Sequence, residues 1–262
     1  MATQHGRPFR LIGVIHLLPL PGAPCGSPGL DVVINRAVED ARALFDGGID
    51  TAVLENFGDL PFTAGRVDPH VPAMMTRIAT RVQQGVDGRL QLGINVLRND
   101  ARAALAVACA CGAEFIRVNV HIGAAWTDQG LVQGRAHQTI RYRRELGADV
   151  RIAADVLVKH AVPAGTMDIT ETTKETVHRG LADVVIVTGA ATGAPTDLDA
   201  VRRAKAASAG APVWVGSGVT PERLRGVMGV ADGAIVGTWL HQDGQLAQPL
   251  DVHRVRRLVS LM

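Results

Sequence analysis

Little in this chain invites the more specialised classes of protein. Among its 262 residues there are only three cysteines, an odd number that does not make a disulfide framework. Cys109 and Cys111 sit in the alanine-rich stretch LAVACACGAEF, where cysteine behaves as a small hydrophobe. No second Cys/His pair is spaced to complete a metal site from this C-x-C. Neither sign of charge is in excess: 27 Lys and Arg against 25 Asp and Glu leave a formal net charge of +2. Such a balance gives no reason to expect nucleic acid or an anionic membrane as partner. Arg141, Arg143 and Arg144 do cluster, but they read as a solvated helix face, since nucleic-acid surfaces need broader basic patches. No segment approaches about 18 consecutive apolar residues, and the opening MATQHGRPFR lacks an apolar signal-like core. No membrane span is expected, and the expected location is the cytoplasm. G-x-G-x-x-G is absent after the first strand, which disfavours an open dinucleotide-binding sheet. Without a low-complexity linker or a compositional break, residues 1–262 are expected to form one domain.

What the chain does have is a recurring junction. GGIDTAVLEN, CGAEFIRVNV, GADVRIAADV, GLADVVIVTG and GVADGAIVGT each carry glycine as first or second residue, continue with an acidic residue and run into a short β-branched stretch. Glycine just past a helix end terminates it, and a short apolar run afterwards reads as a strand buried on both faces. The helix ends are expected at Gly48, Gly112, Gly147, Gly180 and Gly229. RLIGVIH, LQLGINV and PVWVGSG supply three more strands. Between them DVVINRAVEDARALF, NDARAALAVACA, TDLDAVRRAKAA and PERLRGVM carry apolar residues at helical spacing. Asn99 and Thr220 are expected N-caps. Eight strands alternating with helices over this length predict a single (β/α)8 barrel of the TIM type. Two connections are long, 56–72 and 157–170, and both follow strands, so both are expected on the C-terminal face as lids over the mouth.

Several predicted strands carry polar groups where a barrel wall should be apolar. Strand side chains alternate, so Arg117, Asn119 and His121 in FIRVNVH share a face opposite Ile116, Val118 and Val120. The outer face packs under helices, which turns the polar set inward. Glu55, Asn95, Asp155 and His16 stand at comparable positions near the ends of their strands. One buried ion pair, Arg117 with Glu55 or Asp155, is the purely structural reading. A ring of ionisable groups converging on the mouth favours a site, because each buried charge has to be paired or neutralised. His16 is followed by LLPLPGAP, whose prolines would hold a loop beside that site with little entropy left to lose.

The other end of the chain offers an anion cradle. VGSGVT follows the seventh strand and IVGT the eighth, the places where barrels often bind phosphate. The expected contacts are Gly216, Ser217, Gly218, Gly237 and Thr238, extended by Thr188, Gly189 and Thr192 after the sixth strand. Glu55, Asp59 and Asp155 are the carboxylates that could hold a divalent metal, although no cofactor is required.

The stretches GVIHLLPLPGAP, LENFGDLPF, GINVLRNDARAALAVA, FIRVNVHIGAAWTDQG, ADVLVKHA, GLADVVIVTGAATGAP and VGSGVT with ADGAIVGT closely resemble the BtpA/SgcQ family from about Leu11 to Val259. The resemblance implies a barrel similar to the ribulose-phosphate-binding group. It carries over onto His16, Glu55, Asn56, Asp59, Asn95, Asn119, His121, Asp128, Asp155, Lys159, His160, Thr188, Ser217 and Thr238. TWLHQDG departs from it, lacking a lysine near His241. The family's cyanobacterial namesake is linked to photosystem I biogenesis, and other members to sugar or nucleotide metabolism. Two functional expectations follow. The first is an enzyme on a phosphorylated pentose or nucleotide-like molecule, an isomerase, lyase or hydrolase. Asp155, His16, Glu55, Lys159, His121 and Asn119 would do its chemistry, and Asn95 would help bind. The second is a non-catalytic assembly or regulatory factor. A homo-oligomer is compatible with either.

Overall fold

Strands and helices alternate along the chain of this computed structural model, which describes residues 9–156, 161–165, 168–189 and 195–262. The strands are β1 (Arg10–His16), β2 (Thr51–Glu55), β3 (Gln91–Asn95), β4 (Phe115–Val118), β5 (Ala124–Thr127), β6 (Gly130–Gln133), β7 (Arg151–Val156), β8 (Ala161–Pro163), β9 (Val184–Val187), β10 (Val213–Val215) and β11 (Gly233–Val236). The helices are α1 (Leu30–Asp46), α2 (His70–Gly85), α3 (Ala101–Cys111), α4 (Ala136–Glu145), α5 (Ile169–His178), α6 (Leu198–Ala207), α7 (Pro221–Met228) and α8 (Val252–Val259). Eight strands pair in parallel and close in the order β1-β11-β10-β9-β7-β4-β3-β2, which is the TIM barrel the sequence predicts. Among the described residues no helix is long and apolar enough to cross a membrane.

Two packed layers explain the closure. The longest helices turn apolar stripes inward, α1 with Val33, Ile34, Ala37, Ala41 and Leu44 and α2 with Val71, Met75, Ile78, Ala79 and Val82. Inside the barrel a separate cluster, including Ile12, Val53, Phe115, Ile186, Trp214 and Ile235, forms the floor. Phe115 and Trp214 meet edge to face with ring centroids 5.5 Å apart. Their bulk needs empty space on the neighbouring strands, which glycine provides. A Cβ on Gly93 would lie 2.3 Å from the Phe115 ring, and one on Gly233 2.9 Å from Trp214. Above this floor the inward positions turn polar.

Local details depart from expectation for identifiable reasons. Asp100, not Asn99, caps α3, its Oδ1 accepting from the Ala103 N–H at 3.0 Å. Asn99 instead exchanges both its amide groups with the backbone of Val120, at 2.8 Å each. Thr220 does stand at the α7 N-cap, but its side chain makes no capping bond. Gly48, Gly112 and Gly147 end helices with left-handed φ, whereas Gly229 ends α7 in ordinary helical geometry. Gly180 is glycine for space: a Cβ there would strike the Thr176 carbonyl at 2.6 Å, and Leu181 takes the left-handed turn. The chain also carries an antiparallel sheet, β6-β5-β8, that the sequence reading did not anticipate. It takes β5 and β6 from the connection after β4 and β8 from the long connection after β7.

Candidate active site

Register fixes the first three site residues. His16 pairs across to Glu55, and Glu55 to Asn95, so three adjacent strands present them on one rung at their C-terminal ends. The Asn95 Nδ2 donates to Glu55 Oε2 at 2.6 Å. From β4, the next strand round, Arg117 grips Asp155 of β7 with two bonds, Nε to Oδ2 at 3.0 Å and Nη2 to Oδ1 at 3.1 Å. Its Nη1 comes within 3.9 Å of Glu55 Oε2. Burial pulls the Arg117 pKa down, but the Asp155 and Glu55 carboxylates outweigh it and hold the guanidinium above its ordinary value. Asn119 adds a third donor to Asp155, Nδ2 to Oδ2 at 2.9 Å, while its own buried Oδ1 has no hydrogen-bond partner among the described residues.

A cavity of about 210 Å³ opens over this layer. His16, Glu55 and Arg117 line one side; Gly216 to Thr220 and Gly237 to Trp239 line the other. The two glycine-rich turns expected to cradle an anion therefore face the expected acid–base residues. Gly218 takes a left-handed φ of 67°. The neighbouring loops are tied together: Ser217 Oγ accepts from the Gly189 N–H at 2.8 Å, and Thr196 donates to the Ser217 carbonyl at 3.1 Å. Thr188 lies against the same turn, where a Cβ on Gly216 would stand 2.4 Å from its methyl.

Other expected site residues fall elsewhere. The Asp155 side chain is completely buried beneath Arg117 and does not line the cavity, which gives it the position of a strut. His121 lies beyond the end of β4, so strand alternation no longer aims it inward. Its ring is buried against the turn after α5, Nε2 donating to the Gly180 carbonyl at 2.8 Å and Nδ1 without a partner among the described residues. Burial pushes its pKa below the ordinary 6.5. Asp59 is spent on structure: it accepts from the Leu20 N–H at 2.9 Å and from Asn56 Nδ2 at 3.0 Å, pinning the loop after β2 to the proline-rich segment. Asn56 in turn accepts from the Leu97 N–H at 2.7 Å. This loop is therefore fastened along its first turn, and α2 already begins at His70. With Asp59 and Asp155 so engaged, the described residues hold no group of three or more His, Cys, Asp or Glu suited to a metal ion. Asp128 sits exposed on the β5–β6 turn. Lys159, His160 and Thr192 lie outside the described residues.

Two residues at the site escaped the sequence reading. Arg98 is buried near Asp128, Asp155 and Glu55, and burial lowers its pKa. It follows β3 in a loop, where no periodicity marks it. His241, noted only as a departure, contacts His16 with Nε2 3.1 Å from His16 Nδ1.

The comparisons with known proteins agree with this architecture. Photosystem I biogenesis protein BtpA of Synechocystis is 47% identical over 252 residues, 96% of this chain and 87% of that protein. The sgc region protein SgcQ of Escherichia coli is 32% identical over 253 residues, 95% of this chain and 92% of its own. Among solved structures, KGPDC from Streptococcus mutans superposes with a TM-score of 0.60 at 11% identity, covering 97% of both chains. Phosphoribosyl anthranilate isomerase from Thermus thermophilus does so at 0.58 and 10% identity, covering 97% of this chain and 98% of its own. At such identities these structures speak for the fold alone. The BtpA family pattern matches residues 8–262, and with the barrel, its polar mouth and these relatives in agreement, the chain belongs to the BtpA family.

Proposed function

We propose that the barrel mouth binds a phosphorylated sugar or nucleotide-like molecule and catalyses proton transfer on it, as an isomerase, lyase or hydrolase. One observation carries this reading: a single cavity has glycine-rich turns after β10 and β11 on one wall and His16, Glu55 and Arg117 on the other. Phosphate would rest on the backbone N–H groups of Ser217, Gly218, Gly237 and Thr238, which reach an anion without a side-chain cation; the Gly216 N–H is already given to the Val187 carbonyl at 2.8 Å. Glu55 and His16, neighbours on one rung, would move the proton. The Arg117 guanidinium beside them would stabilise negative charge as it develops on an oxygen. Asp155, itself held by Asn119, fixes that guanidinium. An assembly role, as the name of the Synechocystis relative describes for that protein, gives no account of the charged groups lining the cavity.

The test begins with affinity. Ribose 5-phosphate should bind at least about tenfold more tightly than ribose, a difference of 1.4 kcal/mol or more, by calorimetry. Equal affinity, or no binding by any member of a phosphorylated pentose and nucleotide panel, would overturn the phosphate reading. With a binding compound in hand, exchange of its carbon-bound hydrogens into D2O reports proton transfer, and Glu55→Gln should slow it about 10²–10⁴-fold.

A further inference from the structure

The contact between His16 and His241 determines more than proximity. His241 is fully buried, and its Nδ1 stands 2.6 Å from the Gln248 carbonyl oxygen. A carbonyl oxygen only accepts, so the hydrogen resides on His241 Nδ1. A neutral imidazole carries one hydrogen, which makes His241 Nε2 an acceptor. The 3.1 Å contact then has one consistent form: His16 Nδ1–H donates to His241 Nε2, and a neutral His16 bears its lone pair on Nε2. That nitrogen faces the cavity wall, since a Cβ on Gly237 would stand 3.3 Å from it.

The surroundings keep His241 in this state. Arg36 of α1 donates to the same Gln248 carbonyl and to Asp40 at 3.0 Å, and Asp40 accepts from the Leu250 N–H at 2.8 Å. The carbonyl is thereby fixed from two sides. Burial lowers the pKa of His241 and the Arg36 charge adds to this, against the Gln248 bond and Asp40, which raise it. A lysine in this place would offer only donors and would force His16 Nδ1 to accept. Histidine imposes the opposite tautomer.

We propose that His241 is a positioning residue that fixes His16 with Nδ1 protonated, so that His16 presents Nε2 to the cavity as the proton acceptor. This rests on the reading of the mouth as a proton-transfer site and decides which histidine nitrogen begins as base. The proton leaves the substrate for Nε2, no bond to Nδ1 breaks, and the resulting imidazolium already donates to a buried acceptor.

Imidazole nitrogen spectra test it on the 15N-labelled, ligand-free protein at neutral pH. The chain has nine histidines, and His16→Gln and the His241 variants assign the two rings. The wild type should show His16 Nε2 in the unprotonated range and Nδ1 in the protonated range. His241→Gln keeps both functions, its amide oxygen accepting from His16 and its amide nitrogen donating to Gln248, and should preserve the pattern. His241→Leu removes the acceptor and should shift the His16 Nε2 signal toward the protonated range. A wild-type His16 protonated at Nε2, or a folded His241→Leu with an unchanged His16 pattern, would overturn the proposal. Should His241→Leu not fold, the wild type and His241→Gln still decide. Inorganic phosphate, added last, separates the two ideas. A shift of His16 Nε2 on titration supports the mouth as an anion site. The expected tautomer with no response to phosphate would instead overturn that site and leave the role of His241 standing.

Discussion

Replacing Asp155 by Asn distinguishes a strut from an acid or base, and the structure sets the size of the effect. The carboxylate accepts three bonds from two donors groups: Arg117 Nε at 3.0 Å, Arg117 Nη2 at 3.1 Å and Asn119 Nδ2 at 2.9 Å. An asparagine of nearly the same shape keeps one acceptor oxygen and turns an NH2 group toward the remaining donors. It also leaves the buried Arg117 with Glu55 at 3.9 Å as its nearest carboxylate. Removing one partner of a buried pair typically costs about 3–5 kcal/mol. For a chain of this size that corresponds to a fall in Tm of roughly 6–20 °C. The measurement is urea and thermal unfolding of Asp155→Asn beside the wild type. A companion variant, Arg117→Met with Asp155→Leu, removes the pair outright and should recover most of the loss, since replacing both partners by apolar groups is often neutral or stabilising. An Asp155→Asn protein within about 1 kcal/mol of wild type, where the mean point mutation already falls, would refute the strut argument.

Three further outcomes follow from the same geometry. Gly93→Ala places a methyl 2.3 Å from the Phe115 ring and should cost about 1–3 kcal/mol by overpacking, partly relieved by Phe115→Leu; chemical denaturation of the single and double variants reads this. Gly237→Ala brings a Cβ 2.8 Å from the His16 ring, so phosphate titration should show binding weakened about tenfold or more (1.4 kcal/mol) in a protein that still folds. His121 and His241 both have folded pKa values lowered below 6.5 by burial, so the unfolded chain binds more protons in acid. Stability should therefore hold above pH 6.5 and fall as the pH drops below it, at up to about 1.4 kcal/mol per pH unit per histidine. His121→Leu should flatten that slope in a series of unfolding curves from neutral to mildly acidic pH.

The barrel was legible because its parts obey local rules. A glycine, an acid and a β-branched run recur at five places where a helix ends and a buried strand begins, and with three further strands the eight leave few other closures. The β6-β5-β8 sheet was not legible. Its strands are short, and Trp126, Leu131 and Val162 stand exposed on one face, so no inward alternation marks them. The cap at Asn99 was misread for a related reason, and Gly180, where a helix does end, is glycine for space rather than for a left-handed turn. A polar or glycine residue near a helix end has several uses, and only its neighbours in space choose among them.

The mouth divides along the same line. Alternation places a side chain on the inner wall, and it did so for His16, Glu55, Asn95, Arg117 and Asp155, all on strands. It carries no information about height. Asp155 and Glu55 look alike in sequence, yet one is sealed beneath Arg117 and the other borders the cavity. The period also stops where the strand stops, so FIRVNVH promised an inward His121 although β4 ends at Val118. His241 marks the other limit. It is a single extended residue between two 3-10 turns, with no period, 225 residues from His16, and what it does depends on a carbonyl at Gln248 held by Arg36, which Asp40 holds in turn. A residue that acts by fixing the hydrogen of another ring has no pattern of its own. It becomes visible only when donors and acceptors are followed from one atom to the next.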